Sequence, residues 1–581
     1  MRQRLLTLFY LYLIVLAGII LRLSYWQLVK GPELRVEARS QYETQSIIYP
    51  SRGEIITADG YPLVVNRPVY NLSAYIPLLS ESPKVIVDKI LPLLKFDLSD
   101  PELATDTAKR ELKLSELKTA QSTMMLDRLS NQSYAILAKS LSVGEKNEID
   151  ALGIAGLNFD ESFIRGYPEA SMSAHLTGFV GRDELENPVG YFGLEGYYNL
   201  ELTGRTGLKK QEKDAIGNPL LIGNFRELAT RNGRTLKLYL ERSVQYLIET
   251  ELQNGLERYG AVAGEVVVMD PETGGILASV ALPSFDPLKF YESETVLYKN
   301  PVVANSYEPG STFKVMVMAA AINEGKVALD DHCDVCSEPL PIDKYLIKTW
   351  NGEYHPDSTP QDIIVNSDNV GMVWAQRKLG GEKLLEYLKN FGFGEKTGID
   401  LQEEITPSLR SKWGEVDYAT TSFGQGIAVT SIQMVRAVAA IANGGKLLEP
   451  HVVQAVIGDE VSEIKPKVVR QVISAETAEK MTDIMIAAAE HGDAKWTRLA
   501  NYTVAGKTGT AQIPVLGHYD TEKTIASFVG FAPAHNPRFV MLVKLREPTS
   551  SPWGSETAAP LWFNIARKLL LHYNIPPDLP Q

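Results

Sequence analysis

The chain begins with a long apolar run. No charged residue occurs from Leu5 to Leu21, and this length is about the minimum for a helix that crosses the hydrocarbon core of a bilayer. Tyr25 and Trp26 follow, as aromatic residues do at a membrane interface. The pattern predicts a transmembrane anchor within residues 1–27, and no later stretch is long enough to span a membrane.

Positive charge before this run predicts its orientation. Arg2 and Arg4 precede the apolar residues, and basic residues favour the cytoplasmic side. We therefore expect a single-pass protein of the cell (inner) membrane, with everything after the anchor on the extracytoplasmic side. The alternative is a cleaved signal peptide, but no small-x-small cleavage site follows the run.

Residues 28–228 form a predicted mixed α/β domain. Short β-like runs occur at 46–49 and 63–65, and a charged helical block extends from about Ser82 to Leu152. No repeat of 20–50 residues is present, which argues against a solenoid or propeller.

A second pattern fills the predicted domain 229–581. Residues 235–238 alternate as a strand, and apolar residues from Ser243 to Tyr259 have helical spacing. Residues 264–270 and 275–280 indicate a β-hairpin, and the chain ends with a strand near 539–545 and an amphipathic helix from Ala558 to Tyr573. Strands at both ends with helices between them predict an α+β fold in which early and late strands share one sheet.

Composition narrows the classes of function. Of the 581 residues, 44% are hydrophobic and 22% are charged, which is typical of a globular protein. The net charge of -13 argues against a nucleic-acid binder whose affinity depends on phosphate neutralisation. Only two cysteines are present, which excludes a disulfide-built scaffold and an iron–sulfur or multi-zinc protein.

The first candidate chemistry lies at Ser311 and Lys314. Pro309 and Gly310 precede them and an apolar helical stretch follows, so the two side chains should share one face at the start of a helix. A buried, neutral lysine can accept the proton of a serine nucleophile. The pattern alone is weak, because Ser115 with Lys118 and Ser462 with Lys465 repeat it in charged segments.

Two further motifs strengthen this interpretation. Ser367-Asp368-Asn369 supplies a hydroxyl and a carboxamide before an apolar helix, although these residue types also suit a helix N-cap. Val504 to Ala511 contains Lys507-Thr508-Gly509-Thr510 and is typical of a strand to which a ligand or another backbone approaches closely. A second Lys-Thr-Gly, starting at Lys396, lies in a predicted loop and is discounted.

In order and type, the three motifs resemble the active-site set of penicillin-binding proteins and serine β-lactamases. Ser367 follows Ser311 by 56 residues, and Lys507 follows Ser367 by 140. The flanking segments resemble class B penicillin-binding proteins, more the division type than the elongation type: 307–314, 422–430, 506–533, 51–55, 165–168, 175–178 and 193–196. One departure is Asp368, where many class B members carry a second serine.

The resemblance implies an architecture and a reaction. It implies a pedestal of the dimerisation type over 28–228, followed by a transpeptidase domain over 229–581 with an antiparallel sheet flanked by helices. The implied reaction is peptidoglycan D,D-transpeptidation through a serine acyl-enzyme, with release of D-alanine and without a cofactor or metal. β-Lactams should acylate the same serine.

The resemblance also implies a role for each motif residue. Ser311 is the expected nucleophile, Lys314 its general base, and Ser367 the proton relay to the leaving amine. Asn369 should hydrogen-bond the substrate amide, and Lys507 should supply positive charge. Thr508 and Thr510, flanking Gly509, should bind the substrate carboxylate, while the backbone N–H groups of Ser311 and Thr510 form the oxyanion hole.

The expected partners are the peptidoglycan stem pentapeptide, β-lactams, the membrane, a SEDS-family glycosyltransferase and divisome proteins, but no nucleic acid. An elongation-type transpeptidase, a D,D-carboxypeptidase, a β-lactamase and a β-lactam-binding receptor stay open as alternatives; a bifunctional class A enzyme would need a glycosyltransferase domain instead of the pedestal. Cys333 and Cys336 are interpreted as a loop disulfide or two idle thiols rather than a redox centre.

Overall fold

The computed structural model describes residues 2–96, 98, 106–184, 187–212, 225–515 and 518–579. The chain forms two compact units. One comprises Met1–Arg52 and Thr203–Gly233, and the other comprises Gly53–Leu202 and Arg234–Gln581.

The first unit contains the predicted anchor. Helix Arg2–Ser24 continues through a π-helical turn, Tyr25–Val29. Within the residues described, Arg2–Val29 is the one helix long and apolar enough to cross a membrane, with a mean hydropathy of 2.3. Its length and composition are those of a single-pass anchor. Helix Gly31–Tyr42 follows, and a three-stranded antiparallel sheet has the order Glu43–Ile48, Gly207–Glu212, Phe225–Leu228.

A seven-stranded sheet lies in the second unit. Its order is Val461–Glu463, Val453–Ile457, Thr235–Leu238, Ile55–Ile56, Pro62–Tyr75 and Tyr134–Leu141, with Leu157–Gly166 also paired to Pro62–Tyr75. Ile55–Ile56 and Thr235–Leu238 pair in parallel. Strands from both predicted domains, 28–228 and 229–581, therefore share this sheet. The domain boundary between residues 228 and 229 stays a prediction.

The prediction of a helical block from about Ser82 to Leu152 is wrong at residues 134–141. Helices Pro83–Ile90, Thr107–Asn131 and Val143–Asp150 are present, but Tyr134–Leu141 is a strand. This strand pairs with Pro62–Tyr75 and buries Ala135 and Leu137. The pairing partner is some 60 residues away in sequence, so local periodicity between two helices could not reveal it.

A five-stranded antiparallel sheet forms the centre of the second unit. Its order is Ile276–Leu282, Ala263–Met269, Phe539–Arg546, His518–Ala532 and Ala505–Val515. The prediction that early and late strands share one sheet is confirmed, because Ala263–Met269 pairs with Phe539–Arg546. The predicted hairpin is confirmed as well.

Both faces of this sheet are covered. Val266 and Val268 pack in one core with helices Arg242–Tyr259 and Ala558–His572. Val267 and Met269 point to a second core, as alternation along a strand requires. The longer helices contributing to that core are Lys314–Asn323, Asn369–Leu379, Gly381–Asn390, Glu415–Ser422, Ser431–Ala442 and Ala475–His491.

Candidate active site

Ser311 lies in a tight turn immediately before a buried helix. Gly310–Phe313 forms a 3₁₀ turn, and the α-helix proper begins at Lys314 and ends at Asn323. Ser311 is half-buried, whereas Lys314 is completely buried. The structure therefore places the predicted nucleophile one turn ahead of the helix, at a partly accessible position.

The segment 422–430 packs against this turn through Gly424. The Gly310 N–H donates to the Gly424 carbonyl at 3.0 Å. A Cβ on Gly424 would lie 2.1 Å from the Gly310 carbonyl oxygen, and Gly424 has a φ of +80°. Only glycine combines this conformation with so close an approach, so the 422–430 segment fixes the turn that carries Ser311.

The Lys314 amine joins the first two motifs. Its Nζ donates to the Ser367 carbonyl at 2.5 Å, the Ser367 hydroxyl at 3.2 Å and Asn369 Oδ1 at 2.8 Å. Burial lowers the pKa of Lys314 well below its ordinary value, Lys507 lowers it further, and Asp368 and Asp493 partly oppose both effects. A lysine in this environment is suited to act as a base, because burial disfavours its charged form.

The Ser-Asp-Asn segment combines a cap with two groups that face Lys314. Ser367 has a φ of +54°. Its hydroxyl oxygen and the side-chain amide oxygen of Asn369 both accept hydrogen bonds from the Lys314 amine. Asp368 is the N-cap of helix Asn369–Leu379 and accepts from the Val370 and Gly371 N–H groups at 2.7 and 3.1 Å. The N-cap interpretation thus applies to the middle residue alone.

The third motif lies on Ala505–Val515, the outer strand of the five-stranded sheet. A Cβ on Gly509 would lie 2.8 Å from Thr312 Cγ2, so this strand runs directly beside the Ser311 turn. Lys507 is buried and donates to the Thr508 carbonyl and hydroxyl at 3.2 and 3.1 Å. Burial lowers the pKa of Lys507 to about 8, against the opposing effect of Asp493.

Thr508 and Thr510 occupy the same face of this strand, because they are two residues apart. Both are half-buried. The Thr510 hydroxyl accepts from the Gly554 N–H at 2.9 Å, which leaves its own hydrogen available to an acceptor in the cleft. The two hydroxyls and the Lys507 amine together form a site suited to a carboxylate.

Two residues that act on the site, Asp493 and Gly554, belong to none of the three motifs. Asp493 is exposed between buried Gly492 and Ala494, just after helix Ala475–His491. It raises the pKa of both Lys314 and Lys507. Gly554 lies in a loop after the last strand of the sheet, and its backbone N–H donates a hydrogen bond to the Thr510 hydroxyl. Neither could be found from local sequence, since each acts through a group distant along the chain.

The discounted motifs lie elsewhere. Ser115 is exposed on helix Thr107–Asn131, and Ser462 and Lys465 are exposed as well. Thr397 of the second Lys-Thr-Gly is buried and donates to the Glu404 carboxylate at 2.6 Å.

Cys333 and Cys336 are joined in a buried disulfide, which decides between the two open interpretations of this pair. In the described part of the chain, no group of three His, Cys, Asp or Glu side chains could hold a metal ion.

Comparison with protein families gives two matches. The penicillin binding protein transpeptidase domain matches residues 264–570, and the penicillin-binding protein dimerisation domain matches residues 47–238.

Curated relatives match over almost the whole chain. Stage V sporulation protein D of Bacillus subtilis is 33% identical, covering 99% of this chain and 86% of the relative. The probable peptidoglycan D,D-transpeptidase PenA of Neisseria meningitidis is 27% identical, covering 98% and 92%. The peptidoglycan D,D-transpeptidase FtsI of Buchnera aphidicola is 26% identical, covering 98% and 95%.

Solved structures share the fold. Penicillin binding protein 2X from Streptococcus thermophilus has a TM-score of 0.74 at 24% identity, covering 91% of this chain and 80% of that one. A peptidoglycan synthetase from Bifidobacterium adolescentis has a TM-score of 0.72 at 23% identity, covering 93% and 98%.

Proposed function

This chain belongs to the class B penicillin-binding proteins, and we propose that it is a membrane-anchored peptidoglycan D,D-transpeptidase in which Ser311 forms the acyl-enzyme. The observation that carries the proposal is the buried Lys314 amine, three residues from Ser311 and hydrogen-bonded to Ser367 and Asn369.

Acylation begins when neutral Lys314 accepts the Ser311 proton. Ser311 Oγ then attacks the carbonyl carbon of the penultimate D-alanine of a stem pentapeptide, and a tetrahedral oxyanion forms. The intermediate collapses as the peptide C–N bond breaks. The departing D-alanine amine takes a proton delivered from Lys314 through the Ser367 hydroxyl, which already accepts from Lys314 at 3.2 Å.

The other motif residues position the donor. Thr508 and Thr510 hydroxyls, beside Gly509, bind the terminal carboxylate, and protonated Lys507 supplies positive charge there. Asn369 binds the donor amide. Backbone N–H groups of Ser311 and Thr510 stabilise the oxyanion, which is supported by the close packing of the Gly509 strand against the Ser311 turn.

The acyl-enzyme is resolved by an amine from a second stem peptide. That amine attacks the ester carbonyl and loses a proton to Lys314. The bond between the acyl carbon and Ser311 Oγ then breaks, and Lys314 returns the proton to Ser311 Oγ as the cross-link forms. If water replaced the amine, the product would be a shortened, uncross-linked stem. A D,D-carboxypeptidase therefore differs only in the acceptor, and products formed from stem pentapeptide plus an amine acceptor distinguish the two.

The test of the site uses a fluorescent penicillin on the full-length chain in detergent. We expect Ser311→Ala and Lys314→Ala to abolish covalent labelling, because the nucleophile or its base is lost. Ser115→Ala and Ser462→Ala are matched controls from the same Ser-x-x-Lys pattern and should label normally. Labelling that persists in Ser311→Ala would show that another residue is acylated.

We also propose that the catalytic unit faces the extracytoplasmic side of the inner membrane and serves septal wall synthesis with a SEDS-family glycosyltransferase and divisome proteins. Arg2 and Arg4 before the apolar helix support the orientation.

Relatives that carry the FtsI name support the septal role. Similarity to a sporulation protein makes sporulation a second candidate. A fluorescent fusion should localise to division septa in growing cells; lateral or sporulation-specific signal would contradict this.

A further inference from the structure

A buried ion pair in the middle of the five-stranded sheet takes no part in the proposed reaction. Glu265 on Ala263–Met269 and Lys544 on Phe539–Arg546 face each other across neighbouring strands. Lys544 Nζ lies 2.8 Å from Glu265 Oε1, and both side chains are more than nine-tenths buried. Because taking two charges out of water often costs as much free energy as their attraction returns, stability by itself is a weak reason for this pair.

Each member of the pair makes a further polar contact. Glu265 Oε2 accepts from the Ser431 hydroxyl at 2.6 Å. Lys544 Nζ lies 4.2 Å from the centre of the Tyr307 ring, a distance at which an aromatic face attracts a cation. Tyr307 is buried, and among the described residues its hydroxyl has no hydrogen-bond partner. The ring is therefore oriented by packing and by the Lys544 ammonium.

The two residues contacted by the pair belong to a short ladder beside the Ser311 turn. Ser306–Tyr307 pairs antiparallel with Val429–Thr430, and Ser431 follows directly as the first residue of a helix. Ser311 is four residues beyond Tyr307. The Lys544–Glu265 pair thus connects the middle of the sheet to both sides of the ladder from which the turn emerges.

The proposed oxyanion hole depends on the distance between this turn and the sheet. Its two N–H groups come from different elements, since Ser311 lies in the turn and Thr510 lies on Ala505–Val515, the outer strand of the same sheet. Both groups must reach one oxygen atom to stabilise its charge. A contact that fixes the turn relative to the sheet therefore also fixes the geometry of the oxyanion hole.

We propose that Lys544 and Glu265 are positioning residues for acylation, which hold Tyr307 and Ser431, and through them the Ser311 turn, at the distance from the sheet that the oxyanion hole requires. The inference rests on the proposed transpeptidase function. It predicts an effect on the rate of the acylation step and not on the binding that precedes it, because the oxyanion forms only as the serine attacks.

The double variant Glu265→Leu with Lys544→Met tests this role in the full-length chain in detergent. It leaves no unpaired buried charge, and apolar replacement of both partners is often neutral for stability. The dependence of acylation on benzylpenicillin concentration gives the rate constant of the acylation step and the dissociation constant of the preceding complex. We expect the rate constant to fall about tenfold, less than the roughly hundredfold cost of a misplacement of about 1 Å. The dissociation constant and the thermal unfolding midpoint should not change.

Single variants separate the contacts of the pair. Tyr307→Leu removes the ring but leaves the ion pair in place, so it should lower the same rate constant. Tyr307→Phe keeps the ring and loses only a hydroxyl without a partner among the described residues, and Lys544→Arg keeps the positive charge. These two conservative variants should retain the rate constant of the unmodified chain.

A second ion pair provides the matched control. Glu251 on Arg242–Tyr259 pairs with Lys568 on Ala558–His572, and these helices pack on the opposite face of the same sheet. Glu251→Leu with Lys568→Met removes the same two types of side chain without touching the ladder. The rate constant of the acylation step should stay that of the unmodified chain.

The outcomes are distinct. A double variant at Glu265 and Lys544 that keeps the unmodified rate constant would overturn the proposal, since apolar packing alone would then hold the turn. A rate constant that falls only together with the unfolding midpoint, or equally in Lys544→Arg, would also overturn it. If the unmodified chain is not acylated by benzylpenicillin, the proposed function itself fails, and that result needs no variant.

Discussion

At the residue scale, the two buried lysines of the candidate site, Lys314 and Lys507, have different surroundings. Among the residues that the structure describes, the hydrogen-bond partners of the Lys314 amine are neutral oxygen atoms, and the positive charge of Lys507 lies near it. Lys507 retains a pKa of about 8 and is therefore mostly charged at neutral pH. One amine is suited to accept a proton and the other to attract a carboxylate.

This difference predicts a bell-shaped pH dependence of acylation. The rate should fall as pH falls through the lowered pKa of Lys314, because the protonated amine cannot act as a base. It should fall again as pH rises above about 8, where Lys507 loses its charge. The second-order acylation constant for a β-lactam, measured across pH, checks both limbs. A constant that rises steadily to high pH would contradict the role of Lys507.

Asp493 provides a second test of the same electrostatics. Its carboxylate raises the pKa of both lysines, so Asp493→Asn should move both limbs of the profile to lower pH. Asp459→Asn is the control, since Asp459 is exposed and is not among the charges that act on either lysine. Identical profiles for Asp493→Asn and the unmodified chain would show that Asp493 is too well screened by water to matter.

At the element scale, Ser367-Asp368-Asn369 combines helix initiation with site construction. Asp368 satisfies two N–H groups at the start of helix Asn369–Leu379, which fixes where Ser367 and Asn369 emerge. The side chains on either side of the cap then both reach Lys314. Three consecutive residues thus both start a helix and supply two of the groups that contact the Lys314 amine.

The cap can be separated from the chemistry by substitution. Asp368→Ala should lower stability by about 1 kcal/mol, the usual cost of a lost N-cap, whereas Asp368→Ser keeps an acceptor and should lose little. The measurement is the temperature at which the full-length chain loses penicillin labelling after heating. Equal midpoints for the alanine and serine variants would show that the side-chain cap contributes nothing to this helix.

At the scale of the whole molecule, one helix brings the three motifs together. Ala475–His491 packs against helix Lys314–Asn323, helix Pro360–Val365 and strand Ala505–Val515. These elements carry or immediately precede the three motifs. Because the shared core holds them at one place, residues separated by 56 and 140 positions in sequence form a single site.

The anchor gives a prediction for the whole chain. Leu13→Arg with Leu16→Arg places two charges near the middle of the apolar helix, each costing about 2.5–3.5 kcal/mol on insertion scales. We expect this variant to leave the membrane pellet on carbonate extraction. Leu28→Arg lies in the turn at the helix end, where a charge can reach the interface, and should remain in the pellet. Retention of the double variant would mean that other surfaces hold the chain at the membrane.

The sequence by itself determined the apolar N-terminal helix, an α+β domain whose early and late strands share one sheet, and the positions of the candidate motif residues Ser311, Lys314, Ser367, Asn369 and Lys507, because hydrophobic patterns and short motifs can be recognised along the chain. It could not determine the strand Tyr134–Leu141, the disulfide between Cys333 and Cys336, or the influence of Asp493 on two lysines. Each of these depends on a distant pairing partner, on thiol geometry or on burial. Only the tertiary structure decided that Lys314 would be a desolvated amine held by Ser367 and Asn369, since desolvation is produced by the surrounding core and not by the residue itself.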